Sequence, residues 1–269
     1  MLKGISTYTY TWAIGVPGSM PEEPMSVYSL ISKAAELKVD RVQLADNLSL
    51  TGLDAGELIK IRSHASLHQI GIEIGSRGLT EENLHRFIDL AVFFESPILR
   101  MVIDGIDYQP DLDTIRAVIR NAIGRLESSR IILAIENHDR LHAATFRDIV
   151  EQSGSRYLGI CLDCVNSMGI GEGIDTVLGF LAPYTVNLHI KDFIVKRVSH
   201  KMGFIIEGTP AGKGMLDLPF VLEKLRPYGK CRSAILELWT PPAGSLQETL
   251  DREENWAREG VLYMNEILK

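Results

Sequence analysis

The sequence predicts an α/β fold, the (β/α)8 TIM barrel, as a single domain over residues 1–269. Short apolar runs rich in β-branched residues alternate with longer segments of helical periodicity, and such runs are typical of buried parallel strands. There are eight strand–helix pairs of about 34 residues each, and right-handed parallel connections close such a series into a barrel. The length of 269 residues is also usual for this fold, which commonly takes about 250 residues.

The eight strands are expected at about 3–9, 41–45, 72–76, 98–103, 131–136, 158–163, 185–190 and 233–238. The helices that follow them are expected at about 26–38, 55–69, 80–95, 111–127, 144–153, 174–181, 217–227 and 246–267. Local signals support these boundaries, since Thr80 precedes an acidic first turn and Gly154 follows a helix end. Tyr8, Tyr10 and Trp12 alternate along the first strand, so one parity is expected to line the barrel mouth.

The seventh unit is longer than the others because an insertion separates its strand from the helix that begins near residue 217. Residues 196–214 of this insertion carry several glycines and a cluster of cations. A long loop at the catalytic face of a barrel is more often a substrate lid than a decoration, and a merely disordered loop is the alternative. Arg197 and His200 are therefore expected to reach a bound substrate.

Composition and charge argue against several functional classes. The formal net charge of −7 and the isoelectric point near 5.6 give no support for binding to nucleic acids or anionic membranes, which would need a basic patch. The longest aliphatic runs are far shorter than the ~20 residues that span a bilayer, and the first residues show no apolar signal-peptide region. A cytoplasmic protein is the default expectation, with a homo-oligomer left open.

Cys161 and Cys164 have the spacing of a redox Cys-x-x-Cys motif. On a strand, however, positions i and i+3 point to opposite faces. Cys161 should share the face of Asp163 while Cys164 points toward the helices, so the sequence favours two buried thiols over a redox pair.

Four consecutive strands end in side chains that commonly bind metals, namely Glu136, Asp163, His189 and Glu237. In a barrel these strand ends converge on one cavity, where three carboxylates would repel each other strongly at neutral pH. One divalent cation removes that conflict. Three oxygen donors with one imidazole suit Mn, Mg, Co or Zn, and the missing thiolates argue against a structural zinc site. A structural salt-bridge network is the alternative, but few cations flank the four residues.

Lys191 and Trp239 share the predicted cavity with these ligands. Lys191 lies on the same strand face as His189, so it could neutralise an enolate or bind a substrate carboxylate. The alternative for Lys191 is a salt bridge to Asp163 or Asp192. Trp239 lies at the end of the eighth strand, on the face that also carries the fourth ligand.

Acid–base and further substrate-binding groups are also expected at the cavity. Glu136 and Glu237 are the candidate acid and base, and they would titrate as a coupled pair. His138 either binds substrate or packs behind the ligands. Arg77, at the end of the third strand, either forks onto a substrate carboxylate or forms an ion pair with Glu73.

Five stretches of the second half resemble one known family. They read Leu-Ala-Ile-Glu-Asn-His (133–138), Gly-Ile-Cys-Leu-Asp (159–163), Asn-Leu-His-Ile-Lys-Asp (187–192), Pro-Ala-Gly-Lys-Gly-Met-Leu-Asp (210–217) and Ile-Leu-Glu-Leu (235–238). Their order and strand placement resemble the xylose isomerase-like TIM barrels, also called the sugar phosphate isomerase/epimerase superfamily, and the first half fits in architecture only. The resemblance implies a small carbohydrate substrate and one divalent metal held by Glu136, Asp163, His189 and Glu237. In the family's epimerases, the two glutamates also exchange protons with the substrate.

The chain departs from this family at two positions. Asn166 stands where many members, including the DNA-repair endonucleases, have a second His three residues after the strand-six Asp. No strand in the first half ends in a further His, which argues against DNA repair. Val195 stands where the epimerases carry an Arg, and Lys196 and Arg197 adjoin it as substitutes. Asn166 and Arg197 are accordingly expected to contact the substrate.

A narrower likeness concerns residues 11–18, 187–193, 200–204 and 236–241. They look like the branch similar to 3-oxo-isoapionate decarboxylases, which would remove CO2 from a β-keto sugar acid. The leading hypothesis is a divalent-metal-dependent isomerase or epimerase that acts on a small keto sugar or sugar acid through an enediolate. The second is a lyase, either a decarboxylase or a dehydratase, on the same site. The third is a non-catalytic sugar- or metal-binding barrel.

Overall fold

The computed structural model describes residues 1–268 and contains a closed barrel of eight parallel strands. The barrel strands are β1 (Leu2–Ser6), β2 (Arg41–Leu44), β3 (Gly71–Arg77), β4 (Ile98–Val102), β5 (Ile132–Glu136), β6 (Leu158–Asp163), β7 (Thr185–Ile190) and β10 (Ser233–Leu236). They follow chain order around the barrel, and β10 pairs with both β7 and β1 to close it. The predicted TIM barrel is confirmed, and each predicted strand overlaps an observed one.

The helices are α1 (Thr11–Ile14), α2 (Val27–Glu36), α3 (Ala55–Leu67), α4 (Glu81–Phe93), α5 (Leu112–Ser129), α6 (Ala143–Ser153), α7 (Ile174–Leu181), α8 (Leu218–Leu225) and α9 (Leu246–Ile267). Asp54, Thr80, Asp111 and Ser245 each precede a helix and accept a hydrogen bond from a backbone N–H three residues on. Gly154 ends α6 with a φ of 61°, which glycine adopts at little cost. Within residues 1–268, no helix combines the length and apolarity that crossing a membrane requires.

The first strand is shorter than the sequence predicts. The Ser6 side chain accepts a hydrogen bond from the backbone N–H of Tyr8, and the Ser6 N–H donates to Thr9 Oγ1. These two bonds close a 3-10 turn over Thr7–Thr9, and α1 follows it. The expected alternation of Tyr8, Tyr10 and Trp12 along one strand is therefore wrong.

The inserted segment of the seventh unit begins as an ordered hairpin. Strands β8 (Phe193–Arg197) and β9 (Phe204–Gly208) pair antiparallel, with Val195 opposite Ile206. The chain then folds around Asp192, whose carboxylate accepts the backbone N–H groups of Phe193, Gly212, Gly214 and Leu216. The disordered-loop alternative does not describe this segment.

Strand alternation decides which residues reach the interior of the barrel. Leu99, Leu133, Leu162 and Leu188 belong to the main apolar core beneath the helices. The opposite parity places Arg100, Glu136, Asp163 and His189 inside the barrel. A small apolar cluster fills the interior toward the N-terminal strand ends, and it consists of Ile98, Ile132, Ala134, Cys161 and Val186. Glu136, Asp163 and His189 lie at or next to the C-terminal ends of their strands.

Candidate metal centre

The four predicted ligands converge around one ring nitrogen. The Nδ1 atom of His189 lies 3.4 Å from Glu237 Oε1, 3.5 Å from Glu136 Oε2 and 3.8 Å from Asp163 Oδ2. All four side chains are buried. One imidazole and three carboxylates from neighbouring strands thus face a common point.

The donor set fits a divalent cation. Within residues 1–268, Nδ1 of His189 is fully buried and has no hydrogen-bond partner, although buried polar atoms are nearly always paired. An unpaired imidazole nitrogen among carboxylate oxygens is the arrangement that Mn, Mg, Co or Zn would complete. Glu136, Asp163, His189 and Glu237 are the residues that could hold such an ion.

Neighbouring groups fix each carboxylate from its outer side. Asp163 Oδ1 accepts the backbone N–H groups of Val165 and Asn166, each at 2.8 Å. The Asn166 side chain also donates to Glu136 Oε1 at 2.9 Å. Such outer contacts orient metal ligands before any ion binds. Asn166 therefore supports the candidate ligands and also lines the cavity.

Lys191 lies against the same carboxylates. Its Nζ atom is 2.6 Å from Asp163 Oδ2 and 2.9 Å from Glu237 Oε2. Of the two salt bridges weighed from the sequence, the one to Asp163 forms, because backbone N–H groups occupy the Asp192 carboxylate. Burial would lower the pKa of Lys191, but Asp163 and Glu237 raise it well above its usual range. The ammonium therefore stays charged.

Asp163 and Glu237 in turn stay ionised. Burial would raise the pKa of Asp163, but the charges of Lys191 and His189 hold it below its usual range. The pKa of Glu237 is lowered in the same way by His189 and Lys191 against the effect of burial. Two charged ligands are therefore available to a cation at neutral pH.

Arg100 is a site residue that the sequence analysis missed. It is buried in the middle of β4, and its Nε–H donates to Glu136 Oε2 while Nη1 donates to Asp46 Oδ1 at 3.2 Å. Burial would lower the pKa of Arg100, but Glu136 raises it. A lone charge inside an apolar strand, at the parity of the ligands, was the available signal.

A cavity of about 260 Å³ opens above the centre. Its walls are Tyr8, Arg77, Arg100, Glu136, His138, Asp139, Asn166, Gly169, Lys191, Glu237 and Trp239. Larger clefts lie between α5 and α6 and at the N-terminal ends of the strands, and neither brings an imidazole and several carboxylates together. The chemistry therefore assigns the candidate active site to the smaller cavity.

Three of the residues predicted to bind substrate line this cavity, and each contacts a neighbouring side chain. Arg77 Nε lies 3.3 Å from Asp46 Oδ2, so its ion pair is with Asp46, and the alternative pair with Glu73 does not form. His138 Nδ1 is 2.6 Å from Asp139 Oδ1 at the rim. The ring of Trp239 lies 5.5 Å from the Lys191 ammonium.

Arg197 and His200 lie elsewhere, on the exposed hairpin. The Arg197 guanidinium stacks 4.3 Å from the centroid of Phe204 and donates to the backbone oxygen of Lys201. His200 Nδ1 accepts the backbone N–H of Met202 at 3.3 Å. Neither residue lines the cavity in this conformation, so contact with substrate would need the hairpin to move.

The two cysteines of the Cys-x-x-Cys motif are buried free thiols, as expected. Cys161 Sγ is 3.0 Å from Asn187 Oδ1 inside the barrel. Burial raises the pKa of Cys161 well above its usual range, so the thiol is a hydrogen-bond donor and a poor metal ligand. Cys164 packs in the outer core.

Comparisons with known proteins agree with this architecture. The family described as xylose isomerase-like TIM barrel matches residues 33–267. The 3-oxo-isoapionate decarboxylase of Pectobacterium atrosepticum is 29% identical over 264 residues, which are 98% of this chain and 95% of that protein.

Solved structures show the same fold at low identity. The D-psicose 3-epimerase of Clostridium cellulolyticum, solved with D-tagatose, superposes with a TM-score of 0.75 at 13% identity, covering 100% of this chain and 98% of that one. A xylose isomerase-like TIM barrel protein of Mycobacterium smegmatis in complex with magnesium gives 0.72 at 13% identity, covering 97% of each chain.

Proposed function

This chain belongs to the xylose isomerase-like TIM-barrel family, and from that premise we propose that it is a divalent-metal-dependent decarboxylase of a small keto sugar acid. The sequence ranks an isomerase or epimerase first and a lyase second. The charges of the cavity and the relationship to a decarboxylase at 29% identity reverse that order.

The cationic side chains of the cavity carry the proposal. Arg77, Arg100 and Lys191 all line it. The carboxylates around them are Asp46, Glu136, Asp163 and Glu237, and Asp139 lies beside His138 at the rim. A divalent ion would offset two of these negative charges, so Arg77 and Lys191 can pair with one carboxylate of a substrate, whereas a neutral ketose offers them no charged partner.

Arg77 is the group best placed to bind that carboxylate. Its Nε atom is engaged by Asp46, and the side chain is partly exposed on the cavity wall. A guanidinium presents further N–H donors in a fixed plane that matches a carboxylate. Arg100 is instead buried, with Glu136 and Asp46 already bound to it, so it supports the site from behind.

Glu136, Asp163, His189 and Glu237 would hold the metal. When bound, it supplies a Lewis acid that draws electrons toward the keto oxygen of the substrate. The adjoining ammonium of Lys191 adds a fixed positive charge where negative charge develops, and its burial keeps water from screening that charge.

Decarboxylation breaks the bond between the carboxylate carbon and the carbon next to the ketone. The electron pair of that bond forms the double bond of an enolate, and CO2 leaves. A proton then adds to the same carbon and restores the ketone. Glu136 and Glu237 both line the cavity, and either can relay this proton from water.

An isomerase or epimerase remains the second candidate, because two carboxylates reach one cavity. Such an enzyme needs one group to remove a proton and another to return it. Deuterium incorporation without loss of the carboxylate would identify this reaction.

Ligand binding tests the charge argument without turnover. To Mg²⁺-loaded protein, a sugar acid whose ketone is reduced should bind at least about ten times more tightly than the matching neutral alditol, since a charge-assisted pair contributes about 1.5–3 kcal/mol. Arg77→Gln should remove this preference, and exposed Arg130→Gln should keep it. Equal affinities of the wild-type protein for acid and alditol would contradict an acid substrate.

A further inference from the structure

A set of buried polar side chains supports the metal centre from below. Nε2 of His189 lies 2.8 Å from Oε1 of Gln43, and both residues are fully buried. A carboxamide oxygen can only accept a hydrogen bond, so Nε2 must carry the proton. The other nitrogen, Nδ1, then faces the three carboxylates.

The orientation of the Gln43 amide is fixed by its other contacts. Its NH2 group donates to Glu73 Oε2 at 3.3 Å and to Asn187 Oδ1 at 3.2 Å. Asn187 is itself fixed, because its NH2 group donates to Glu73 Oε2 at 3.2 Å and to Ser233 Oγ at 2.8 Å. A flipped Gln43 amide would place its oxygen against Asn187 Oδ1, which can only accept and which also accepts the Cys161 thiol at 3.0 Å, so Oε1 faces His189.

Gln43 and Glu73 have no access to a substrate. Neither Gln43 nor Glu73 is among the described residues that line the cavity, and both lie deeper in the barrel. Glu73 Oε1 lies 3.7 Å from Arg41 Nε, so the set of contacts begins near the N-terminal end of β2 and ends at the ligand ring. Contact with the substrate therefore cannot explain the polar network, while contact with His189 can.

We infer that Gln43 is a positioning residue that holds His189 with Nε2 protonated and Nδ1 directed at the metal, and that Glu73 fixes Gln43 in the orientation this requires. The inference rests on the metal centre of the proposed function. Groups that hydrogen-bond a metal-ligating imidazole set its tautomer and ring orientation, and their loss typically weakens metal binding about 10–100-fold.

The test compares Gln43→Leu with wild type and with a matched control. Ser96→Ala removes another buried hydrogen-bonding group of the barrel, one that contacts Ile74 and Ile98 and no candidate ligand. Mn²⁺ titration of metal-free protein should give a dissociation constant about 10–100 times higher for Gln43→Leu and unchanged for Ser96→Ala. Gln43→Glu keeps an acceptor for Nε2–H and should bind Mn²⁺ more tightly than Gln43→Leu.

A spectroscopic reading separates positioning from a general loss of stability. In protein labelled with ¹⁵N at histidine, the hydrogen bond to Gln43 should protect one Nε2–H proton from exchange with water. That signal should persist in Ser96→Ala and disappear in Gln43→Leu. If Gln43→Leu does not fold, Glu73→Gln replaces it, because a second amide lets Gln43 flip and should weaken Mn²⁺ binding by a smaller factor.

The outcomes separate this inference from the proposed function. If folded Gln43→Leu binds Mn²⁺ as tightly as the wild-type protein does, Gln43 does not position His189. The same conclusion follows if Glu73→Gln, used where Gln43→Leu does not fold, keeps wild-type affinity. A retained Nε2–H signal in Gln43→Leu would also overturn the positioning role. If the wild-type protein binds no Mn²⁺, the proposed function fails instead. In that case the Nε2–H signal alone tests the hydrogen bond between Gln43 and His189. Loss of the signal in Gln43→Leu supports this bond, and persistence of the signal refutes it.

Discussion

The Nζ atom of Lys191 lies 2.6 Å from Oδ2 of Asp163, and only 6% of the lysine is exposed. A charged amine thus lies beside a carboxylate that would also bind the metal. In the proposed reaction, this ammonium would both balance the charge of the ligands and lie near the negative charge that develops on the substrate. A substitution of Lys191 should therefore change turnover without weakening metal binding.

Lys191→Met should lower kcat by about 100-fold or more, because a fixed positive charge beside the reacting oxygen is lost. Mn²⁺ affinity should hold or rise, since the variant removes a cation next to the ion. The measurement is a Mn²⁺ titration together with steady-state kinetics, with exposed Lys60→Met as the control. A variant that turns over normally would exclude Lys191 from the chemistry.

Glu237→Gln should keep the fold and lose almost all turnover. The change preserves size but removes a base and one negative charge at the centre, and loss of a general base alone costs about 10²–10⁴-fold. Circular dichroism and kinetics measure the two effects, with exposed Glu266→Gln as the control. Activity within tenfold of wild type would show that Glu237 takes no part in the reaction.

The β8–β9 hairpin should act as a lid over the cavity. Met202 is 86% exposed and Phe204 is 58% exposed at its tip, and closure would bury such apolar side chains. Replacing residues 196–205 with Asn-Gly would join Val195 to Ile206, which are already cross-strand partners.

This shortened protein should retain one metal per chain while kcat/KM falls at least about tenfold, because an open cavity admits water. Metal analysis and kinetics distinguish the outcomes. Normal turnover would mean that the tip, including Arg197 and His200, has no catalytic part. Loss of the metal would mean that the hairpin supports the ligands themselves.

The stability of the fold should depend on the titration of Glu253, which is not among the residues that line the cavity. This buried carboxylate accepts the backbone N–H groups of Trp12 and Ala13, each at 2.9 Å. Burial raises its pKa from 4.5 to about 7. Between these two values the folded chain keeps a proton that the unfolded chain releases, so this contribution falls as pH rises through that window, by about 3 kcal/mol.

Chemical denaturation at pH 5 and pH 8 measures the effect. Glu253→Gln cannot titrate at this position, so its unfolding free energy should change less between the two pH values than that of wild type. Carboxylates with lowered pKa values contribute equally to both proteins and cancel in the difference. The same pH dependence in both proteins would show that Glu253 does not titrate in this range.

The sequence was sufficient to predict the barrel and the convergence of four candidate ligands. Each of these residues ends an apolar run, and parallel strand ends meet at one face whatever the details of packing. The ion-pair partner of Arg77 could not be predicted in this way. Glu73, one of the two partners considered for Arg77, lies four residues earlier on the same strand, about 13 Å away along it. Asp46 from the neighbouring unit pairs with Arg77 instead.

Arg100 and Gln43 could not be assigned roles from the sequence. Both lie inside strands, and their partners come from residues 36 and 146 positions away. Only the register of the closed barrel brings these side chains together. The hairpin was not predicted for a different reason. Its two five-residue strands pair only with each other and carry polar and apolar residues on both faces, so they lack the alternating pattern that predicts a strand.

The most direct test of the central claim follows the carboxylate of a β-keto sugar acid, such as 3-oxo-isoapionate labelled with ¹³C at that carbon. With Mn²⁺-loaded protein in D2O, we predict that the label appears as CO2 and bicarbonate, that the product gains one deuterium, and that chelation of the metal stops the reaction. A label that stays in the sugar acid while deuterium exchanges into the substrate, or CO2 release that continues in metal-free protein, would contradict this prediction.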